Sequence, residues 1–324
     1  MVMMIDFNSF PENERYYSGN AGAKMGIFFQ DENWFLKFGK STRGFRNMDI
    51  SYATSPLSEY IGSHIYEIIG VPVHKTLLGE RDGKIVVACQ DFRKQGDELI
   101  EFKNIKNAYV KGRDEISSGA TYGDSVDLED VLQTIRNNKT LQMIPGVEER
   151  FWDMFVVDAL ISNNDRNNGN WGILVHPDGS KELTPVYDNG NCLTNKKSND
   201  QILKTLQNPE AMKDASYRLV FCTYSDKEKL INPMEYISNT PEAGCLDAIH
   251  RIVPRIDLSR INRMIDEIPE EYHGLEVMSP VRRQFYKELL QIRHEEVFLP
   301  VLEKSRVIDQ SKETPARRKR QLKL

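Results

Sequence analysis

Cysteine is scarce in this 324-residue chain, which has only Cys89, Cys192, Cys222 and Cys245 and no C-x-x-C pair. Spacing this wide indicates neither a zinc site nor a disulfide framework, and we expect reduced, structural thiols. Histidine is also rare, with six residues and no H-x-x-x-H pair, so a zinc hydrolase is not indicated either.

A basic excess and a long apolar run are missing as well. The formal net charge is -5, whereas nucleic-acid binders gain affinity by neutralising phosphates, so we expect no direct nucleic-acid binding. No segment approaches the ~18 consecutive apolar residues of a membrane span. Residues 1–10 lack the basic start and apolar centre of a signal peptide. We expect synthesis in the cytoplasm, with any export using a route that needs no signal peptide.

The first hundred residues predict the order strand, strand, helix, strand, strand. Runs rich in aromatic and branched residues favour the strands, and a helical period that ends at Gly70 favours the helix. The ranges are 25–29 and 34–38 for the first two strands, 58–69 for the helix, and 75–79 and 84–88 for the last two strands. This is the order of a small kinase N-lobe.

The rest of the chain predicts mainly helices, over 127–137, over 145–162 and again from Leu246 onward. We therefore expect an α+β, two-lobed, protein-kinase-like fold, with a small N-lobe of antiparallel sheet plus helix and a larger, mainly α C-lobe. We place the N-lobe at 1–92, the C-lobe at 93–305, and a basic, flexible tail at 306–324.

The strongest chemical signal is Asp165-Arg166-Asn167-Asn168-Gly169-Asn170, followed by Asp188-Asn189-Gly190. An Asp and an Asn five positions apart, then Asp-x-Gly, is an arrangement that places a base and two metal ligands around a transferring phosphoryl group. Asp165 would act as the base, and Asn170 and Asp188 would bind magnesium through hard oxygen atoms. Strand-like runs at 171–175 and 183–187 predict a hairpin that brings Asn170 and Asp188 together.

An ordinary polar turn is the alternative interpretation of this stretch, because Asn, Asp and Gly all favour turns. The kinase interpretation depends on the combination with the upstream lobe. There, a period of two puts Phe35 and Lys37 on one face of the second strand. Lys37 suits a contact with nucleotide phosphates, and Glu59 on the first helix is its candidate partner. A solvated strand face and an exposed helix start are the alternatives for these two residues.

Two further segments are candidate nucleotide contacts. A turn of small residues precedes the first strand, where backbone N–H groups can approach phosphates closely. The chain after the last N-lobe strand is a candidate hinge whose backbone binds the adenine edge. The residues concerned are Gly19, Gly22 and Lys24 in the first segment, and Cys89, Gln90, Asp91 and Phe92 in the second. A mobile loop and simple hinge packing stay open as alternatives.

Together these motifs resemble the HipA-like serine/threonine kinases, through the segments 35–38, 58–64, 160–171 and 185–190. Within the family the chain looks most like the short, single-chain form. The resemblance implies ATP with magnesium and phosphorylation of serine or threonine in a protein, often including the kinase itself. Ser18 is a self-phosphorylation site only by loose analogy. Asn167 departs from the family pattern, because many relatives have His at that position.

The sequence leaves two other functions open. Asp-Arg-x-x-x-Asn followed by Asp-x-Gly also resembles phosphoinositide kinases, so a lipid or small-molecule acceptor is the runner-up. A nucleotide-binding interaction protein without turnover would share every binding residue. Toxin members of the family pair with an antitoxin, but no partner is assigned here. The basic run 317–320 is typical of a solvated chain end, and it is also compatible with a localisation signal or entry into a host cell.

Overall fold

The structure, a computed structural model, describes residues 2–15, 17, 24–39, 55–111 and 123–307. Gly19, Gly22 and Ser18 lie outside these residues, and so does the tail from 308 onward. Within the described residues, no helix is long and apolar enough to cross a membrane.

A five-stranded sheet forms the N-terminal part, in the order β1-β4-β5-β3-β2. All neighbours are antiparallel except β1 and β4, which run parallel. One helix, α1, follows β3 and packs against β4 and β5. The bounds are β1 (Ile5–Asp6), β2 (Lys24–Phe29), β3 (Glu32–Phe38), α1 (Ser55–Ile69), β4 (Thr76–Arg81) and β5 (Lys84–Gln90). The predicted order of elements is confirmed.

The two hairpins of this sheet close with two-residue turns, Gln30-Asp31 and Asp82-Gly83, whose four residues all have positive φ. Such turns match the right-handed twist of the paired strands. The predicted alternation of β3 is also confirmed. Trp34 and Leu36 are buried in a small apolar cluster on one face, while Lys37 on the other face reaches the carboxylate of Glu59 on α1.

The rest of the chain is mainly helical and packs around one large apolar core, to which α1, β4 and β5 also contribute. Helix α5 runs through this core with nearly every side chain buried and packs against α9. The bounds are β6 (Glu98–Glu101), α2 (Phe102–Lys111), α3 (Leu128–Asn137), α4 (Lys139–Gln142), α5 (Val147–Ile161), β7 (Gly172–Val175), β8 (Lys181–Leu183), α6 (Asn199–Leu206), α7 (Pro209–Lys213), β9 (Ser225–Asp226), β10 (Lys229–Leu230), α8 (Pro233–Asn239), α9 (Ala243–Ile252), α10 (Leu258–Asp266), β11 (Glu271–Tyr272), β12 (Leu275–Glu276) and α11 (Pro280–Arg293). The α+β, two-lobed, kinase-like fold is therefore confirmed.

One predicted strand is wrong in its extent. The run 183–187 was expected to return beside β7, but β8 covers only Lys181–Leu183. Pro185 has no N–H group and cannot continue the ladder. The chain turns away instead, and Val186 pairs in parallel with Val73, just before β4. The segment that carries Asp188 is thereby placed against α1. The sequence also gave no indication of β6 or α2, whose stretch looked merely polar.

Candidate active site

Lys37 and Glu59 form a buried ion pair, as the sequence predicted. The Lys37 amine lies 2.7 Å from Glu59 Oε2, and the Glu59 side chain has no exposed surface. Burial alone would lower the pKa of Lys37, but the carboxylates of Asp188 and Glu59 raise it well above its ordinary value. Burial likewise would raise the pKa of Glu59, but Lys37 and His74 lower it. Both groups are therefore charged at neutral pH.

Asp188 joins this pair from the far part of the chain. Its Oδ1 atom lies 2.9 Å from the Lys37 amine, although 151 positions separate the two residues. Asp188 has a left-handed backbone with φ 61°, a conformation that costs free energy for a residue other than Gly and is concentrated at functional sites. Gly190 follows, and a Cβ atom there would stand 3.0 Å from Glu59 Oε2. Glycine thus lets the Asp188 segment approach α1.

Asp165 lies beyond the end of α5, where Ser162 closes the helix in a left-handed conformation. Its backbone N–H donates to Asn163 Oδ1 at 3.2 Å, and Asn163 is itself tied to Asp158 of α5. Burial raises the pKa of Asp165, the hydrogen bond from Asn167 opposes this, and the charge of Asp188 adds to it. Asp165 is consequently a better proton acceptor than an exposed carboxylate.

The side chain of Asn170 is oriented by Asp165, the first residue of the motif. Its Nδ2 atom donates to the carbonyl oxygen of Asp165 at 2.6 Å. That bond fixes which end of the amide is the nitrogen and, within the described residues, leaves Oδ1 without a donor. A side-chain oxygen held in this way can serve as a ligand for a hard cation. Asn170 and Asp165 thus belong to one small turn.

Asn167 was the residue whose role the sequence explained least. Its Nδ2 atom donates to the Asp165 carboxylate at 3.1 Å, and its Oδ1 atom accepts from the Gly169 N–H at 2.8 Å. The side chain therefore holds the candidate base inside the turn and favours its ionised form.

We expect Asn167→Ala to move the acid limb of the pH–rate profile toward higher pH. A general base must be ionised to accept a proton, and the hydrogen bond from Asn167 favours ionisation of Asp165, the candidate base. Without that bond Asp165 keeps its proton to a higher pH. The measurement is kcat/KM against pH, with Asn239→Ala on α8 as the control. An unchanged acid limb, or a shift toward lower pH, would contradict this role.

Arg166 is a functional candidate that the sequence analysis missed. Its guanidinium is buried and donates to Asp158 Oδ2 through Nε at 2.8 Å. It also donates to the carbonyl oxygens of Asn170, at 3.0 Å, and of Tyr187, and to Asn189 Oδ1. One side chain therefore joins the turn of Asp165 to both neighbours of Asp188. The β7–β8 hairpin, which was expected to bring Asn170 and Asp188 together, ends before it reaches Asp188.

Asn168 is a second missed residue. It is buried, and its Nδ2 atom donates to the carbonyl oxygens of Gly123 and Ser125, both at 2.8 Å. Its own carbonyl accepts from the Lys103 N–H at 2.8 Å. The turn of Asp165 is thus anchored on α2 and on the start of the segment that leads to α3. A buried Asn inside a polar motif gives no sequence signal for such partners.

Lys24 lies directly opposite Lys37 in the β2–β3 pair. Burial and the charge of Lys37 lower the pKa of Lys24, while Asp188 opposes the effect. Two like charges opposite each other on antiparallel strands are destabilising. The carboxylates of Glu59 and Asp188, which both contact Lys37, offset part of this repulsion.

Fewer backbone groups of the candidate hinge are free to bind a ligand than the sequence suggested. Cys89 is buried within β5. The N–H groups of Gln90 and Asp91 already donate to the carbonyl oxygens of Lys75 and Asn33, at 3.0 and 2.9 Å. Among the described residues, neither the N–H nor the carbonyl of Phe92 has a hydrogen-bond partner, so both groups of Phe92 are free to bind a ligand.

Aromatic rings line both sides of this region. The Phe92 ring lies 5.6 Å from the ring of Tyr187, the residue before Asp188. On the sheet side, Phe35 shares the face of Lys37 and stacks on Tyr17 with 4.7 Å between ring centroids. These contacts place apolar, planar surfaces next to the charged cluster.

A model of the HipA-like C-terminal domain matches residues 19–242, more than half of the chain. The chain is 34% identical over 298 residues to the serine/threonine-protein kinase CtkA of Helicobacter pylori, an alignment that covers 90% of this chain and 86% of that protein. The crystal structure of the H. pylori proinflammatory kinase CtkA matches with a TM-score of 0.84 at 30% identity, over 94% of this chain and 99% of that one. A chain of the Shewanella oneidensis complex of HipA, HipB and operator DNA shares the fold alone, with a TM-score of 0.50 at 14% identity over 93% and 70% of the two chains. This chain therefore belongs to the HipA-like C-terminal domain family.

Proposed function

We propose that the chain transfers the terminal phosphoryl group of ATP, with magnesium, to serine or threonine hydroxyls of proteins. The observation that carries the proposal is the Lys37 amine held between Glu59 and Asp188, with Arg166 joining the Asp188 segment to the turn of Asp165 and Asn170. Phosphoryl transfer needs these parts: a cation for the phosphates, oxygen ligands for metal, and a carboxylate near the acceptor. The 34% identity to a serine/threonine-protein kinase supports the enzyme class.

The donor atoms of the cluster fit magnesium. Asp188 offers a carboxylate and Asn170 an amide oxygen, which are the hard ligands that this ion prefers alongside phosphate and water. When bound, magnesium neutralises charge on the phosphate oxygens. Arg166 donates to the carbonyl oxygens of Asn170 and Tyr187, and this shared contact would keep the two proposed ligands near each other before any ion binds.

The lysines and the hinge would hold the nucleotide. Lys37 faces the phosphates in this proposal, and Lys24, its cross-strand neighbour, provides a second positive charge for them. The Phe92 peptide would bind the adenine edge, beside the rings of Tyr187 and Phe35. Gly19 and Gly22 stay candidates for a phosphate-binding turn.

In the reaction, the acceptor oxygen attacks the terminal phosphorus of ATP while Asp165 accepts its proton. The bond from that phosphorus to the oxygen of the leaving ADP breaks, and a phosphoserine or phosphothreonine forms. Positioning and charge neutralisation supply most of the rate enhancement in such transfers, so few groups are needed. We also propose that the chain phosphorylates itself, as family resemblance implies, and that it acts after export into a host cell.

The test of this function is incubation with labelled ATP and magnesium, followed by mass spectrometry of the products. Phosphate on serine or threonine of the chain or of an added protein would support the proposal. Parallel reactions contain phosphatidylinositol vesicles without protein acceptor. Labelling of lipid alone, or nucleotide binding with no transfer to either acceptor, would contradict the proposal.

Asp188→Asn should remove the magnesium dependence of nucleotide binding. The substitution keeps the size of the side chain but removes the charge that a divalent cation requires, so transfer should fall by about 10²-fold or more, the loss typical when a group that stabilises the transition state is removed. Calorimetric titration with an ATP analogue, with and without EDTA, measures the effect. Asp178→Asn, in the turn between β7 and β8, is the matched control. Equal magnesium dependence in Asp188→Asn and the wild type would refute the metal assignment.

A further inference from the structure

The carboxylate of Glu59 divides its two oxygens between different partners. Oε2 accepts from Lys37 at 2.7 Å. Oε1 accepts from the backbone N–H of Asn189 at 2.9 Å and lies 3.0 Å from Nε2 of His74. A fully buried carboxylate needs several donors to offset its lost hydration. Glu59 is therefore held by three elements besides its own helix: β3, the turn before β4, and the Asp188 segment.

His74 is oriented so that one ring nitrogen serves this carboxylate. An ionised carboxylate can only accept, so Nε2 carries the hydrogen in the contact with Glu59. The other ring nitrogen, Nδ1, is buried and has no hydrogen-bond partner among the residues that the structure describes. Burying a polar nitrogen without a hydrogen-bond partner is unfavourable. A residue chosen only to fill this space would be apolar, which indicates that the bond to Glu59 is the reason for the imidazole.

The backbone of His74 points to the same connection. Its N–H donates to the carbonyl of Val186 at 2.9 Å, two residues before Asp188. On the other side, Asn189 Nδ2 donates to Ser63 Oγ of α1 at 3.0 Å, and Ser63 Oγ lies 3.3 Å from His74 Nε2. Helix α1, His74 and the Asp188 segment thus form one connected network.

Helix α1 also approaches this segment closely. A Cβ atom at Gly62 would lie 3.0 Å from Asn189 Cβ and 3.0 Å from Cys192 Sγ. The contact therefore depends on glycine, and the two elements have little room to shift along each other. Glu59 is consequently fixed by hydrogen bonds at a place where packing also fixes its helix.

We propose that His74 is a positioning residue for phosphoryl transfer: it orients the Glu59 carboxylate so that Oε2 keeps the Lys37 amine directed at the nucleotide phosphates. This rests on the function proposed above. Lys37 has two carboxylate partners, Glu59 and Asp188, and a metal ion held by Asp188 would compete with Lys37 for that carboxylate. Glu59 then remains to hold the amine, and its orientation depends on His74 and the Asn189 amide.

The test compares His74→Phe, which keeps a planar ring without donors, with His74→Gln, whose Nε2 can replace the donor. We expect His74→Phe to raise the KM for ATP and to lower kcat/KM about tenfold or more, the loss expected for one hydrogen bond to a charged group. His74→Gln should recover most of the wild-type kcat/KM. The effect should disappear in a Glu59→Gln background, because His74 acts through that carboxylate. His294→Phe, a half-buried histidine in the C-terminal part, is the control.

A second measurement does not require transfer. Acetylation of lysines on the folded protein in magnesium, followed by digestion and mass spectrometry of the peptide that contains Lys37, reports how firmly Lys37 is held. Its labelling rate should rise several-fold in His74→Phe and stay near the wild-type rate in His74→Gln. Unchanged labelling of Lys37 in a folded His74→Phe would overturn the inference whether or not the wild type is a kinase. So would an effect of His74→Phe on kcat/KM that simply adds to that of Glu59→Gln.

Discussion

Asp165→Asn is expected to lower kcat for phosphoryl transfer by about 10²–10⁴-fold, the range associated with loss of a positioned general base. The amide has nearly the same shape as the carboxylate, so the contacts that surround it can persist. Its backbone would still accept from Asn170 Nδ2 and donate to Asn163. What disappears is the charge that we propose accepts the proton of the acceptor hydroxyl.

The same variant should bind magnesium and ATP like the wild type. In the structure Asp165 contacts Asn163, Asn167 and Asn170, whereas Asp188 contacts Lys37. Single-turnover kinetics separates binding from chemistry, and Asp178→Asn provides the same substitution at an exposed turn. Full activity in Asp165→Asn would refute the assigned mechanism. A loss of nucleotide affinity equal to the loss in kcat would instead place Asp165 in binding.

The upstream half of this site could be predicted because its signals are local. A lysine in a strand of otherwise aromatic and apolar residues needs a partner, and a period of two shows which face it occupies. Lys37 and Glu59 meet as expected. Strand and helix order follows from residue patterns of the same short range, which is why most predicted elements in the first hundred residues agree with the structure.

For the downstream half, the expected hairpin was wrong in its extent, and the metal site itself stays a prediction. Asn170 and Asp188 were expected to meet at the edge of a hairpin, but the pairing stops near Pro185 and the chain crosses to Val73. Arg166 makes the connection instead. Such a contact depends on side chains and carbonyl groups that only the fold brings together. The periodicity of the sequence therefore does not predict it.

A weaker signal for Arg166 was present nonetheless. Asp158 stands in the otherwise apolar run Phe155-Val156-Val157-Asp158-Ala159-Leu160-Ile161, and an acid inside a buried helix requires a donor. Arg166, a cation eight residues later in the sequence, donates to Asp158 together with Tyr66 and Asn163. The sequence carries no comparable signal for the hinge. The N–H groups of Gln90 and Asp91 are already bonded to the carbonyl oxygens of Lys75 and Asn33, which lie on neighbouring segments.

The buried ion pair of Arg166 and Asp158 also gives the largest stability effect that we expect. Arg166→Met should lower the free energy of unfolding by about 3–5 kcal/mol, because it leaves Asp158 as an uncompensated buried charge. Urea denaturation measures this loss. Arg136→Met is the control, since Arg136 pairs with Glu148 and Glu242 at a more exposed site, where each ion pair contributes about 0–1 kcal/mol.

Adding Asp158→Asn to Arg166→Met separates the two roles of the arginine. The second substitution removes the stranded carboxylate, so the double variant should be more stable than Arg166→Met alone. Phosphoryl transfer should stay low in both, because the carbonyls of Asn170 and Tyr187 remain without the guanidinium that joins them. Recovery of activity together with stability would mean that Arg166 serves only to neutralise Asp158. Recovery of stability without activity would show that the same side chain holds the candidate base and metal ligands in register.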